Sequence, residues 1–251
     1  MRSPVRRALA STAALVSVMA PLTACGGKDD TTITVLAASS LTGTFTDLAA
    51  QFEKDHSGVQ VKLAFDSSAT LAQQAAGGAP ADVLATADTT TMDSAKSALA
   101  STPQNFATNV MVLVTPSDNP QDLTEFADLN SAGVSYVVCV DTAPCGKIAA
   151  SLLEQDHVTR HPASTEVDVK SVLAKVTEGE ADAGIVYETD AVSAGNAVKT
   201  VPIPGTAQQT TTYPIATLEQ SKQSDLAQQF VDLVLGDRGQ QVLRQAGFGA
   251  P

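Results

Sequence analysis

Twenty residues, Ile33 to Phe52, read ITVLAASSLTGTFTDLAAQF and already restrict the chain to few folds. The apolar run Ile33-Thr34-Val35-Leu36-Ala37 reads as a buried strand. Ala38-Ser39-Ser40 is a turn of small residues. Leu41, Phe45, Leu48 and Phe52 then recur at helical spacing, so a helix opens just after Ser40. A serine at such a turn is expected to cap the helix, its hydroxyl satisfying groups that the first turn leaves open. The same place suits an anion, because several N–H groups point outward and the helix dipole is positive there.

The same grammar returns along the chain. Val59 to Phe65 alternates as a strand does, Asp66-Ser67-Ser68-Ala69 turns, and a helix begins at Thr70 and stops at Gly77-Gly78. Asp82 to Ala85 is a short strand before a helix over Thr90 to Ala100. Asn109 to Pro116 reads as one long apolar strand. Val134 to Val140 is a strand running into Asp141-Thr142-Ala143-Pro144-Cys145-Gly146, and Lys147 to Gln155 is helical. Glu166 to Val169 leads into a helix over 170–178. Ala183 to Tyr187 is a buried strand, and strands are expected over 198–203 and 211–218. Helices over 224–235 and 237–246 close the chain, with Gly236 and Gly247 as punctuation. Strands alternating with helices imply βαβ units, an α/β protein with helices on the faces of its sheets. No fixed-period repeat and no low-complexity linker divides the chain after residue 32. The strands near Val112 and Ile215 are the candidate connections between two lobes. Lobe 1 is then 33–112 with 215–251, and lobe 2 is 113–214.

The first residues stand apart from this pattern. Arg2, Arg6 and Arg7 precede a small, apolar run from Ala8 to Pro21, too short for a comfortable permanent span. It ends in Leu22-Thr23-Ala24-Cys25-Gly26-Gly27, which resembles a bacterial lipoprotein signal. Residues 1–24 are expected to be removed, Cys25 lipidated, and 25–32 left as a tether. Twelve basic groups then face 27 acidic ones, a charge of −15. That excludes nucleic acid and charge-driven binding to anionic lipid, but not a small anion held by local dipoles. Aromatic residues make up 4% of the chain and Trp is absent, which disfavours aromatic-lined sugar or nucleic-acid surfaces. With Cys25 used by lipid, Cys139 and Cys145 remain, separated by five residues. In an exported protein such a pair is a disulfide by default, and two reduced thiols, one a metal ligand or nucleophile, are the alternative.

Four turns place small, polar or Gly/Pro residues directly before a helix: Ala38-Ser39-Ser40, Asp66-Ser67-Ser68, Ala143-Pro144-Cys145-Gly146 and Val167-Asp168-Val169. In open sheets ligands sit at the carboxyl ends of strands, where such turns gather. Turns converging from two lobes make a pocket of neutral N–H and O–H donors, suited to a small, fully ionised oxyanion. Lys147 and Lys170 lie one residue past two of these turns and are read as pointing to solvent. His157 and His161 are spaced as a metal pair could be, but beside Pro162 they read as a solvated helix end. The serine pairs lack Gly-x-Ser-x-Gly and the Ser/Lys spacing of penicillin-interacting enzymes.

Five segments carry a family resemblance: ITVLAASSL, FDSSATLAQQAAGGAPADVLATAD, the Ala-Pro-Cys-Gly turn, DVKSVL and GIVYETDA. On these, over nearly all of the chain past its signal, the sequence resembles the periplasmic molybdate-binding proteins of ABC transporters, within the class of two-lobed substrate-binding proteins. The resemblance implies a type II periplasmic-binding-protein-like fold, each lobe a mostly parallel sheet flanked by helices, with the ligand cleft between lobes. It implies that the hydroxyls of Ser40 and Ser68, the backbone amides of Cys145 and Val169 and the hydroxyl of Tyr187 bind the oxyanion. No side chain would coordinate a metal directly, no cofactor would be needed, and the protein would not be an enzyme. Molybdate or tungstate would be the ligand and an ABC permease the partner of a monomer lipid-anchored on the extracytoplasmic face of the cell membrane. Two positions depart from relatives: Cys145 stands where Ala is usual, and Ala69 replaces a Ser. Another oxyanion or a metal ion, or an exported Ser/Cys enzyme, are the competing readings.

Overall fold

The computed structural model describes residues 31–251. The signal segment 1–24, the lipidation site Cys25 and the tether as far as Asp30 lie outside the described residues. The first strand, β1 (Thr31–Ala38), begins two residues before Ile33. Thr31 and Thr32 pair with Val59 and Gln60, and the Thr31 amide donates to the Gly58 carbonyl at 2.9 Å, so the end of the expected tether is strand.

Ten strands form two five-stranded sheets among the described residues. The first runs in the order β2 (Val59–Asp66), β1, β3 (Val83–Ala85), β10 (Thr211–Thr217), β4 (Gln104–Asn109). The second runs β7 (Ser164–Glu166), β6 (Tyr136–Cys139), β8 (Ala183–Tyr187), β5 (Met111–Pro116), β9 (Val198–Val201). The plan is the same in both. Three strands are parallel, then comes an antiparallel strand that has just arrived from the other sheet, then an edge strand antiparallel to that one. Each sheet is therefore mixed, with four of its five strands running the same way and one running against them. β5 follows β4 across Val110, β10 follows β9 through the connection after Val201, and each enters its new sheet antiparallel to its neighbours.

The expected strand over Asn109 to Pro116 is β5 from Met111 on, and its first residue, Asn109, ends the separate strand β4. β4 pairs with β10 in the first sheet, and after Val110 the chain continues as β5 in the second. The sheets change over at Val110 and between Val201 and Thr211. Thr206, in the second connection, ties the two crossings together: its hydroxyl donates to the Met111 carbonyl at 2.8 Å and accepts from the Met111 amide at 3.1 Å.

The helices are α1 (Thr42–Asp55), α2 (Ser68–Ala76), α3 (Thr89–Ser94), α4 (Pro144–Gln155), α5 (Val169–Thr177), α6 (Glu188–Ala194), α7 (Ser224–Leu235) and α8 (Asp237–Gln245). The predicted apolar face of the first helical segment is buried: Leu41, Phe45, Leu48 and Phe52 are at most 1% exposed. Phe230 of α7 meets Phe45 and Phe52 edge-on, at 5.9 and 5.5 Å between ring centres. Each such side chain contributes about 1.5–3 kcal/mol by burial. The chain end returns to the first sheet, where Phe248 packs edge-on against Tyr213 at 5.4 Å and Gly249 bridges Thr108. No helix among the described residues is long and apolar enough to cross a membrane.

Candidate functional site

The turns leaving β1, β2 and β3 in one sheet and β6, β7 and β8 in the other converge on one cavity. Its wall includes Ser39, Ser40, Ser67, Ser68 and Ala87 from the first lobe, and Pro144, Cys145, Asp168, Val169 and Tyr187 from the second. All five residues singled out by sequence, Ser40, Ser68, Cys145, Val169 and Tyr187, line it. The space between the atoms lining the cavity, its open mouth included, is about 210 Å³. Ala69 does not line it and faces a groove shared with Asp141 and Lys147.

The serines do not act as the expected caps. Ser40 lies in a 3-10 turn, Ser39–Leu41, ahead of α1, and neither that turn nor α1 has a side-chain cap. Thr42 instead bonds the Ser39 carbonyl at 2.6 Å, and the Ser40 hydroxyl meets the Tyr213 hydroxyl at 3.0 Å. Ser67 occupies the cap position of α2 without a capping bond, and Ser68 is the first helical residue. Its Oγ accepts the Ala87 amide at 2.9 Å, which leaves the hydroxyl hydrogen for another acceptor. Withholding both hydroxyls from their helices keeps them at the cavity wall.

In the second lobe, two helix starts bring main-chain amides to the wall. α4 opens on Pro144, which has no N–H and holds φ near the helical value, so Cys145 supplies an early amide of that helix. Cys145 is joined to Cys139 by a disulfide, with Cα atoms 5.8 Å apart, which links the end of β6 to the start of α4. Gly146 is required for this approach, because a Cβ there would run into the Val140 carbonyl. Asp168 caps α5, accepting the amides of Lys170 at 2.8 Å and Ser171 at 3.0 Å, but not that of Val169. Its other oxygen takes the Ser171 hydroxyl at 3.3 Å.

Tyr187 closes the wall. It is 1% exposed, and its hydroxyl has no hydrogen-bond partner among the described residues. Burial, then the neighbouring Tyr213 and Asp190, hold this phenol well above the usual phenol range, so it stays protonated and keeps a hydrogen to donate. Buried hydroxyls nearly always have a partner, so an idle one aimed at a cavity points to a ligand.

Two lysines read as solvent-facing are ion-paired. Lys170 Nζ lies 2.8 Å from Asp190, whose side chain is fully buried on α6. Desolvation raises the Asp190 carboxyl above its ordinary value, and Lys170 opposes that rise. Lys147 reaches across to Asp88 of the first lobe at 3.2 Å. Adjacency to a turn did not reveal either pairing, because both partners are distant in sequence. Sequence reading also passed over Tyr213 and Asn109, which stand behind Ser40. Tyr213 was legible only as a strand residue, although a buried tyrosine hydroxyl in a core strand needs a polar partner.

Two α/β lobes joined by paired crossings, with helix starts of both lining a cavity between them, have the architecture of a solute-binding protein. The chain belongs to the bacterial extracellular solute-binding proteins, whose family model matches residues 33–249. It is 41% identical over 252 residues to the molybdate-binding protein ModA of Mycobacterium tuberculosis H37Rv, covering 94% of this chain and 97% of that one. Among solved structures it resembles the periplasmic molybdate-binding protein of Azotobacter vinelandii, with a TM-score of 0.75 at 20% identity over 87% of this chain and 99% of that one. The sulfate-binding protein SubI of Mycobacterium tuberculosis H37Rv matches with the same TM-score at 19% identity, over 87% and 86%. These two structural likenesses concern the fold alone, and the fold does not choose between the two anions.

Proposed function

We propose that this protein captures molybdate, with tungstate as its close substitute, and delivers it to an ABC permease. In this reading the hydroxyls of Ser40, Ser68 and Tyr187 and the amides of Cys145 and Val169 donate to the oxyanion. The observation that carries it is the idle, buried Tyr187 hydroxyl in a cavity otherwise walled by small residues and helix starts. The identity to a molybdate-binding relative supports the choice of anion. A charge-assisted hydrogen bond contributes about 1.5–3 kcal/mol net, so several together reach the roughly −8 kcal/mol of micromolar binding after association costs. Donors come from both lobes, so the anion binds the closed arrangement better than the open one, and only that difference shifts the population. The Lys147–Asp88 pair also links the two lobes. Cage size, not charge, separates molybdate from sulfate.

The site has the chemistry of binding, not of turnover. The Cys145 sulfur is in a disulfide, and the serine hydroxyls face Tyr213 and the Ala87 amide, neither of them a general base. A lipid on Cys25 would keep a monomeric binding protein at the outer face of the cell membrane. Calorimetric titration of residues 26–251 with molybdate, tungstate, sulfate and phosphate tests the reading. Tight binding of molybdate and tungstate is expected, and binding of sulfate alone, or of none of the four, refutes it.

A further inference from the structure

We infer that Lys147 and Asp88 form a latch across the mouth of the anion cavity, two positioning residues that set how long a bound anion stays without touching it. The inference rests on the oxyanion reading above. Both residues adjoin the cavity wall: Lys147 is two residues past Cys145 on α4, and Asp88 follows Ala87 after β3. Lys147 also lines the outer groove, with Ala69 and Thr91 of the first lobe and Asp141 of the second, so the pair stands between the cavity and solvent. Its Nζ lies 3.2 Å from Asp88 Oδ2, one lobe to the other. Asn109 and Thr189 also bond across the lobes, at 2.8 Å, but beside the Val110 crossing, where the chain itself holds the lobes together. Lys147 and Asp88 belong to neither crossing, so their bond lasts only while the two segments are held face to face.

Asp88 is set in advance for this contact. Its Oδ1 caps α3 by accepting the Thr91 amide at 2.6 Å, and its carbonyl accepts the Thr86 hydroxyl at 2.7 Å. Oδ2 is left for Lys147, and only the lysine gives up rotamer freedom when the pair forms. Lys147 keeps 41% and Asp88 18% of its side chain exposed, so water screens the pair, and its effect is a few-fold change in rate, not orders of magnitude. An anion held by turns of both lobes leaves when they part. A bond that breaks in the same step slows release and leaves capture nearly untouched. Plain charge attraction is a different effect. Beside a dianion, Lys147 attracts and Asp88 repels, and each would do so whether or not the other is there.

The test is a double-mutant cycle on molybdate release, with Lys147→Met, Asp88→Asn and both together. At low salt, koff and kon are read by stopped flow on tyrosine emission, since the chain has no Trp. Asparagine caps a helix as aspartate does, and methionine keeps the apolar stem of the lysine, so the variants are expected to fold. Lys147→Met should raise koff about two- to fivefold more in the original protein than in the Asp88→Asn protein, with no such excess in kon. A Lys147→Met effect on koff that is equal in both backgrounds leaves charge attraction alone and overturns the latch. An excess confined to kon overturns it as well. Either result leaves the oxyanion reading standing. An unchanged protein that binds neither molybdate nor any other oxyanion overturns both.

Discussion

Tyr187→Phe removes one oxygen from a fully packed position, and the consequences for folding and binding have opposite signs. The hydroxyl has no partner among the described residues, so phenylalanine costs the fold no hydrogen bond. A buried polar group without a partner is itself worth about 1–3 kcal/mol of destabilisation. Without ligand, the variant is therefore expected to equal or exceed the original protein in stability, with a rise in Tm of about 2–4 °C for each kcal/mol recovered. Binding moves the other way. One charge-assisted hydrogen bond to the anion is lost, about 1.5–3 kcal/mol, which at roughly 1.4 kcal/mol per decade weakens the molybdate Kd about 10- to 100-fold. The edge-on contact with Tyr213, 6.0 Å between ring centres, survives in phenylalanine and keeps the ring in place. Urea denaturation without ligand and calorimetry with molybdate read the two effects separately. A variant that loses 1 kcal/mol or more of stability while binding molybdate unchanged would refute the reasoning, because the hydroxyl would then be structural.

Ser68→Ala should lower both quantities, since it removes a donor to the anion and strands the Ala87 amide, at a stability cost of about 1–3 kcal/mol by denaturation and at least a tenfold rise in Kd. Lys170→Met leaves the buried Asp190 carboxylate without its cation, a loss of about 3–5 kcal/mol near neutral pH. Because burial raises the Asp190 carboxyl above 3.8, the folded state binds the extra proton, so the deficit should shrink as pH falls toward 4 and grow as it rises. Melts at pH 4.5 and 7.5 with equal deficits would contradict this. Opening the Cys139–Cys145 bridge by a double Cys→Ala change should cost about 2 kcal/mol in the chain-entropy model for so short a loop, yet weaken molybdate binding less than Ser68→Ala, because residue 145 contributes its amide. Two alkylatable thiols before reduction would show that the bridge does not form.

Much of the fold was legible because its signals are local. The apolar face from Leu41 to Phe52 is periodic, and the helix over 224–235 is bounded as its residues suggest. The crossing at Val110 was read two residues late, near Val112. Asn109 to Pro116 is apolar nearly throughout, and nothing in one-dimensional periodicity marks where a chain leaves one sheet for another. β4 escaped for a related reason: as an edge strand with exposed Gln104 and Asn105 it lacks the apolar run of a central strand. The positions of the helix-start turns were legible, but their hydrogen bonds were not. Ser40 looked like a cap because serine before a helix usually is one. Its actual partner, Tyr213, is 173 residues away.

That long-range partner changes what the turn means. A capping serine gives its oxygen to the helix and keeps its hydrogen for whatever is near. Ser40 instead shares a hydrogen bond with the Tyr213 hydroxyl at 3.0 Å, in which either group can donate, so its orientation depends on a strand from the far end of the chain. Asn109 stands at the crossing between lobes, with one NH₂ hydrogen on Thr189 of the second lobe and the other on Tyr213 of the first.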